Sequence, residues 1–95
     1  LCLERAASAF EEFDPDELDF RLSDGVLTLE FGDGTRFVLN RQTAADQMWL
    51  AAGARAWHYD WDPASEAWRN DRDGHDLLER LAGVVGEKLG RPVSL

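Results

Sequence analysis

The chain has 95 residues, room for one hydrophobic core and no second lobe, and its net charge of −9 opposes any electrostatic grip on nucleic-acid phosphates or an anionic membrane. With Cys2 the only cysteine, an internal disulfide and a thiolate metal cluster are both excluded. No apolar run approaches the ~20 residues of a membrane span and no leader pattern is visible, so the reading is a soluble single domain over 1–95 in a reducing compartment. The start at Leu1 rather than Met points to preceding residues processed off or absent.

Segment 3–13 places Leu3, Ala6, Phe10 and Phe13 at steps of three and four, an amphipathic helix that Asp14-Pro15 ends. The period then changes to two. In ELDFRL, Leu18, Phe20 and Leu22 alternate with Glu17, Asp19 and Arg21. SDG leads into VLTLEF and GDG into TRFVLN, both hairpin signals. QMWL, AWHYDW and the short EAWR continue the meander, with a turn at Asp62-Pro63. After Asp73-Gly74 the helical period returns through Leu77, Leu78, Leu81, Val84, Val85 and Leu89, and Gly90 and Pro92 stop it. The predicted fold is α+β: a two-layer sandwich with both helices on one face of an antiparallel sheet of about six strands, the other face open.

Alternation also assigns faces. Phe37 and Leu39 point inward, so Asn40 and Gln42 share the other face with Val38; Met48 and Leu50 go inward, leaving Gln47 and Trp49 outward. An indole beside three side-chain amides on a wet face is unusual for a small protein and suits a flat protein interface. The bland alternative is a twisted strand that tucks the Trp49 ring over an edge. Trp57, Tyr59 and Trp61 alternate opposite His58 and are expected in the core, whereas the strand around Trp68 is too short to fix its side.

The run VLTLEFGDGTRFVLNRQTAADQMWLA, then HYDW, a tryptophan at 68 and DRDG opening the last helix, resembles the frataxin family, in particular its bacterial members. The likeness covers nearly the whole chain, and the N-x-Q, Q-x-W-L and YDW motifs in that order are specific. The resemblance implies a helix–sheet–helix sandwich, weak iron binding by an acidic ridge on helix 1 and the first strand, and a role in iron–sulfur cluster assembly through docking on the cysteine desulfurase complex and its scaffold protein. It implies a cytoplasmic setting in a bacterium or the mitochondrial matrix in a eukaryote. Arg21 stands where bacterial members tend to carry an acid, Gly32 replaces an acid sometimes found there, and helix 1 is shorter than is usual.

Charge distribution fits the ridge. From Glu11 to Asp33 nine acids face only Arg21, so 8 of the 9 net negative charges fall in this stretch. Glu11, Glu12, Asp14, Asp16, Glu17 and Asp19 are the expected iron ligands, Fe2+ or Fe3+, held weakly because the ridge is linear and histidine-free. Such carboxylates lie within a Debye length of about 8 Å and repel one another, a strain that a cation or an arginine-rich partner would relieve. Asn40, Gln42, Gln47, Trp49 and His58 are the expected partner face. His58 and His75, 17 residues apart, form no zinc pattern; Cys2 reads as a small apolar residue; no phosphate loop or nucleophile motif is present. The leading reading is a non-enzymatic, monomeric accessory protein. Its rivals are an iron-storage or ferroxidase protein that oligomerises with iron, and an acidic mimic of nucleic acid.

Overall fold

The structure is a computed structural model that describes residues 2–93, with side chains from residue 4 onward. Its order is α1 (Cys2–Phe10), β1 (Leu18–Ser23), β2 (Val26–Phe31), β3 (Arg36–Gln42), β4 (Gln47–Ala52), β5 (Arg55–Asp62), β6 (Ala67–Asn70) and α2 (Leu77–Leu89). The side chains of Cys2 and Leu3, a small apolar residue and the first position of the expected stripe, lie outside the described residues. All six strands pair antiparallel with their sequence neighbours, in the order β1-β2-β3-β4-β5-β6.

The register carries the alternation across the whole sheet. Leu22, Leu27, Leu39, Leu50 and Trp57 form one row on the helix side, and Ser23, Val26, Asn40, Trp49 and His58 form the next row on the opposite side. The core lies between the helices and the first of these faces. Ala6, Ala7 and Phe10 of α1 and Leu77, Leu81, Val84 and Val85 of α2 are buried with Leu27, Leu29, Phe31, Leu39, Met48, Leu50 and Tyr59 of the sheet. No helix is long and apolar enough to cross a membrane among the described residues.

Helix α1 closes at Phe10 rather than Phe13. The chain tightens there through bonds from the Glu11 N–H to the Ser8 carbonyl and from the Phe13 N–H to the Phe10 carbonyl, the three-residue spacing common at helix ends. Phe13 still packs on the core, its ring 5.5 Å from that of Phe10. Helix α2 is capped by the Asp76 carboxylate, which accepts from the Glu79 N–H at 3.0 Å.

Trp61 departs from expectation. It is 45% exposed, because α2 starts beside β6, where Asp76 bridges Arg69, and runs toward the far end of the sheet, where Glu87 meets Arg55 and Lys88 meets Asp33. Alternation put Trp61 on the correct face, but α2 leads away from it. Trp68 is buried on the same face, edge-on to Trp61 with the Arg41 guanidinium 5.0 Å from its ring.

Two ties hold loops against the sheet. Buried Tyr59 Oη lies 2.7 Å from His75 Nε2, and His75 Nδ1 lies 2.6 Å from Asp73 Oδ1, so the imidazole bridges the phenol and the carboxylate. Burial pushes the Tyr59 phenol well above its ordinary pKa. At the other end, the Gly32 N–H donates to the Glu17 carbonyl at 3.1 Å, and a Cβ at position 32 would sit 2.6 Å from the Asp16 carbonyl oxygen. Glycine there reflects a backbone-to-backbone approach, not a missing acidic ligand.

Gly32→Ala is therefore expected to destabilise the fold by about 1–3 kcal/mol, read as a fall of at least roughly 4 °C in Tm; an unchanged Tm would show that the Asp16 turn yields freely. The His75 backbone N–H and ring N–H hold the Asp73 carboxyl below the usual carboxylate range, as the Ser65 hydroxyl and Ala64 N–H do for Asp62 and the Lys88 ammonium does for Asp33. Depressed carboxylates stabilise the fold above their unfolded pKa and lose that contribution as pH falls through the folded value. Tm should thus fall between about pH 5 and pH 2. Asp73→Asn, which cannot ionise, should melt lower than wild type at pH 7 yet show a shallower acid fall.

Candidate functional site

The five residues expected at a partner face share the uncovered side of the sheet. Asn40 and Gln42 stand on β3, Gln47 and Trp49 on β4, and His58 on β5, with Asn40 opposite Trp49, Trp49 opposite His58, and Gln42 opposite Gln47. The Trp49 ring is 37% exposed and lies over the sheet rather than over an edge. It stacks on the His58 imidazole, ring centroids 4.5 Å apart and planes 21° from parallel. The indole Nε1–H donates to Gln47 Oε1 at 3.0 Å, and Gln47 Nε2 donates to Asp60 Oδ1 at 2.9 Å.

Asp60, Gln47, Trp49 and His58 therefore form one chain of contacts that ends at Asp71, whose Oδ2 lies 3.9 Å from His58 Nδ1. This arrangement fixes the orientation of a large apolar plate while its outer face stays in water. Less rotamer freedom is then lost when a partner covers it. Asp60 and Asp71 were not among the candidates. Asp60 was legible in principle, since it shares the parity of His58 in AWHYDW. Asp71 lies in the turn after β6, where no periodicity points to it.

The acidic ridge occupies the passage from α1 to β1. Glu11 and Glu12 are exposed in the turn after the helix; Asp14 Oδ1 accepts from the Asp16 N–H at 2.9 Å; Asp19, the second residue of β1, accepts from the Phe20 N–H at 2.9 Å. Glu17 differs from its neighbours, because the Arg91 guanidinium donates to both of its carboxylate oxygens. Two more acids of the stretch also acquire bases, Asp33 from Lys88 at 2.5 Å and Glu30 from Arg36 at 3.1 Å. Among the described residues no lysine or arginine pairs with Glu11, Glu12, Asp14, Asp16 or Asp19. These five present hard carboxylate oxygens, the donor chemistry an iron ion accepts. No group of three or more His, Cys, Asp or Glu side chains converges to hold a metal ion among the described residues. An ion at the ridge would therefore have to keep much of its water.

A frataxin-like domain model matches residues 2–91 of the chain. The iron-sulfur cluster assembly protein CyaY of Thioalkalivibrio sulfidiphilus is 43% identical over 94 residues, covering 98% of this chain and 88% of the relative. The CyaY protein of Dechloromonas aromatica is 39% identical, covering 98% and 87%. Among solved structures, a frataxin from Psychromonas ingrahamii superposes with a TM-score of 0.85 at 28% identity, over 98% of this chain and 86% of that one. Trimeric frataxin from Saccharomyces cerevisiae, solved complexed with ferrous, gives a TM-score of 0.67 at 30% identity, over 95% and 77%. Six antiparallel strands under two helices, and relatives matching almost end to end, agree on one assignment: the chain belongs to the frataxin family.

Proposed function

We propose that this protein is a non-enzymatic accessory factor of iron–sulfur cluster assembly that binds iron weakly along Glu11, Glu12, Asp14, Asp16, Glu17 and Asp19. It docks on the cysteine desulfurase complex, including its scaffold protein, through Asn40, Gln42, Gln47, Trp49 and His58. There it tunes cluster formation or delivers iron. Relatives named for iron–sulfur cluster assembly support the process. The observation that carries the docking role is the pinned indole: Trp49 is held by Gln47 and His58 at the centre of a face that neither helix covers. An indole held in place on an uncovered face suits a contact surface, and tryptophan is among the residues enriched at interface hot spots. The bacterial relatives favour a cytoplasmic setting.

The ridge and the plate answer different needs. Carboxylates without basic partners steer and hold an arginine-rich surface or a cation, while the plate supplies desolvated contact area. A second reading is an iron-storage or ferroxidase protein that oligomerises with iron, with which a trimeric yeast frataxin complexed with ferrous is compatible; mass measured with and without ferrous iron separates the two.

Trp49→Ala should fold with only a small loss of Tm yet retain desulfurase at least about 30-fold more weakly in a quantitative pull-down, the equivalent of a hot spot of about 2 kcal/mol; a steep drop in Tm would instead make Trp49 a stabilising residue. Ferrous ion should raise the Tm of the wild type, by up to about 2.7 kcal/mol of stability at a hundred times its dissociation constant. A variant with Glu11, Glu12, Asp14, Asp16 and Asp19 changed to amides should show no such rise, and an equal rise in both would move the binding site off the ridge.

A further inference from the structure

The open sheet face has a charge pattern of its own around the indole. Across the sheet from Trp49 comes the stacked His58 ring, and beyond it Asp71, whose Oδ2 lies 3.9 Å from His58 Nδ1. Asp60, two residues along β5 from His58 and on the same face, accepts from Gln47 Nε2, and Gln47 in turn accepts the indole N–H. Each aspartate therefore adjoins a residue that touches the plate. Folding gives neither of them a base. Arg69 lies opposite Asp60 in the register, but its guanidinium donates to the Ser65 hydroxyl at 3.3 Å and to the Gly74 carbonyl at 3.5 Å. Glu30, on the same face, is neutralised by Arg36, whereas among the described residues no lysine or arginine pairs with Asp60 or Asp71. The groups stay within reach of a visitor, since the His58 and Asp71 side chains are 46% and 34% exposed.

We propose that this surface receives an arginine side chain of the docking partner, its guanidinium laid over the stacked Trp49 and His58 rings and drawn to Asp60 and Asp71. The proposal rests on the docking reading above and names the chemistry that the plate takes. An apolar side chain seated there would cover Trp49 but would also strip water from two carboxylates that have no counter-charge, which is costly. A cation removes that cost, and the electron-rich face of an indole attracts it. Guanidinium fits better than ammonium: it is planar, stacks on aromatic faces, is more weakly hydrated and meets a carboxylate with two N–H donors at once. A phosphate or carboxylate on the partner would be repelled by the same two aspartates.

The test compares retention of the cysteine desulfurase complex by wild type, Trp49→Ala, the pair Asp60→Asn with Asp71→Asn, and all three changes together, each first checked for an intact melting transition. Asparagine at 60 keeps an oxygen to accept from Gln47 Nε2, so the indole stays pinned; an unchanged Trp49 indole N–H resonance verifies it. The aspartate pair should bind about three- to tenfold more weakly at low salt, and roughly 0.5 M salt should close most of that gap. In the Trp49→Ala background the same two changes should cost clearly less, because the guanidinium has lost its platform. Should the pair not fold, either single asparagine variant replaces it. A peptide probe identifies the cation: acetyl-Gly-Arg-Gly-Arg-amide should move the Trp49 indole resonance, and the same peptide with citrulline, which keeps the shape and lacks the charge, should not. A response that does not distinguish the two peptides overturns the arginine assignment. Retention that falls with Trp49→Ala but not with the aspartate pair means that the plate receives an apolar group, which overturns the proposal and leaves the docking intact. Retention unchanged in every variant overturns the docking reading, and the proposal with it.

Discussion

A pleated strand sends successive side chains to opposite faces, and two helices packed side by side can cover only one of them. In this protein that constraint places almost everything else. Leu27, Leu39 and Leu50 go beneath the helices, and the adjacent row of Val26, Asn40, Trp49 and His58 is left facing water. The open face is a direct consequence of the fold, and it carries side-chain amides and aromatic rings around Trp49 beside charged side chains such as Asp60, Glu30 and Arg36. The indole at its centre is further restrained by a hydrogen bond and a ring stack. A surface made rigid in this way is suited to recognition, since little remains to be ordered when a partner arrives.

The second organising feature is charge, and the tertiary structure divides it. Nine acids concentrated between Glu11 and Asp33 would repel one another in an extended chain. Folding brings Arg36, Lys88 and Arg91 to Glu30, Asp33 and Glu17, while Glu11, Glu12, Asp14, Asp16 and Asp19 keep no basic partner among the described residues. The neutralised acids lie where helix end, tail and hairpin turn must meet. Glu11, Glu12, Asp14, Asp16 and Asp19 line the outer passage from α1 into β1, and the ninth acid, Asp24, sits in the turn between β1 and β2. One acidic stretch therefore divides into acids that folding pairs with bases and acids left without a basic partner among the described residues, and the boundary between the two runs through Glu17.

Much of this was legible in the amino-acid order. The alternation in ELDFRL, VLTLEF and TRFVLN and the three-and-four spacing of Leu77, Leu81, Val84 and Val85 are local properties, and they specify strands, helix and faces without reference to the rest of the molecule. Trp49 could be assigned outward for the same reason. Trp61 could not be assigned correctly, although its parity was right, because exposure depends on where a helix passes overhead. The end of α1 at Phe10 likewise reflects a tightened last turn that the Asp14-Pro15 signal does not encode.

The order of elements, the inward and outward sets on each strand, the location of the acidic stretch and, through its motifs, the resemblance to frataxins can all be read from the residue order. Each of these depends on neighbours within a few residues. Three-dimensional packing alone reveals that Gly32 admits the Asp16 carbonyl, that Asp60 and Asp71 bracket the Trp49–His58 stack, and that Arg91 closes on Glu17 across 74 residues of chain. Contacts of that kind are set by how layers stack and where helix ends fall. A local period carries no information about which distant side chain arrives at a given carboxylate.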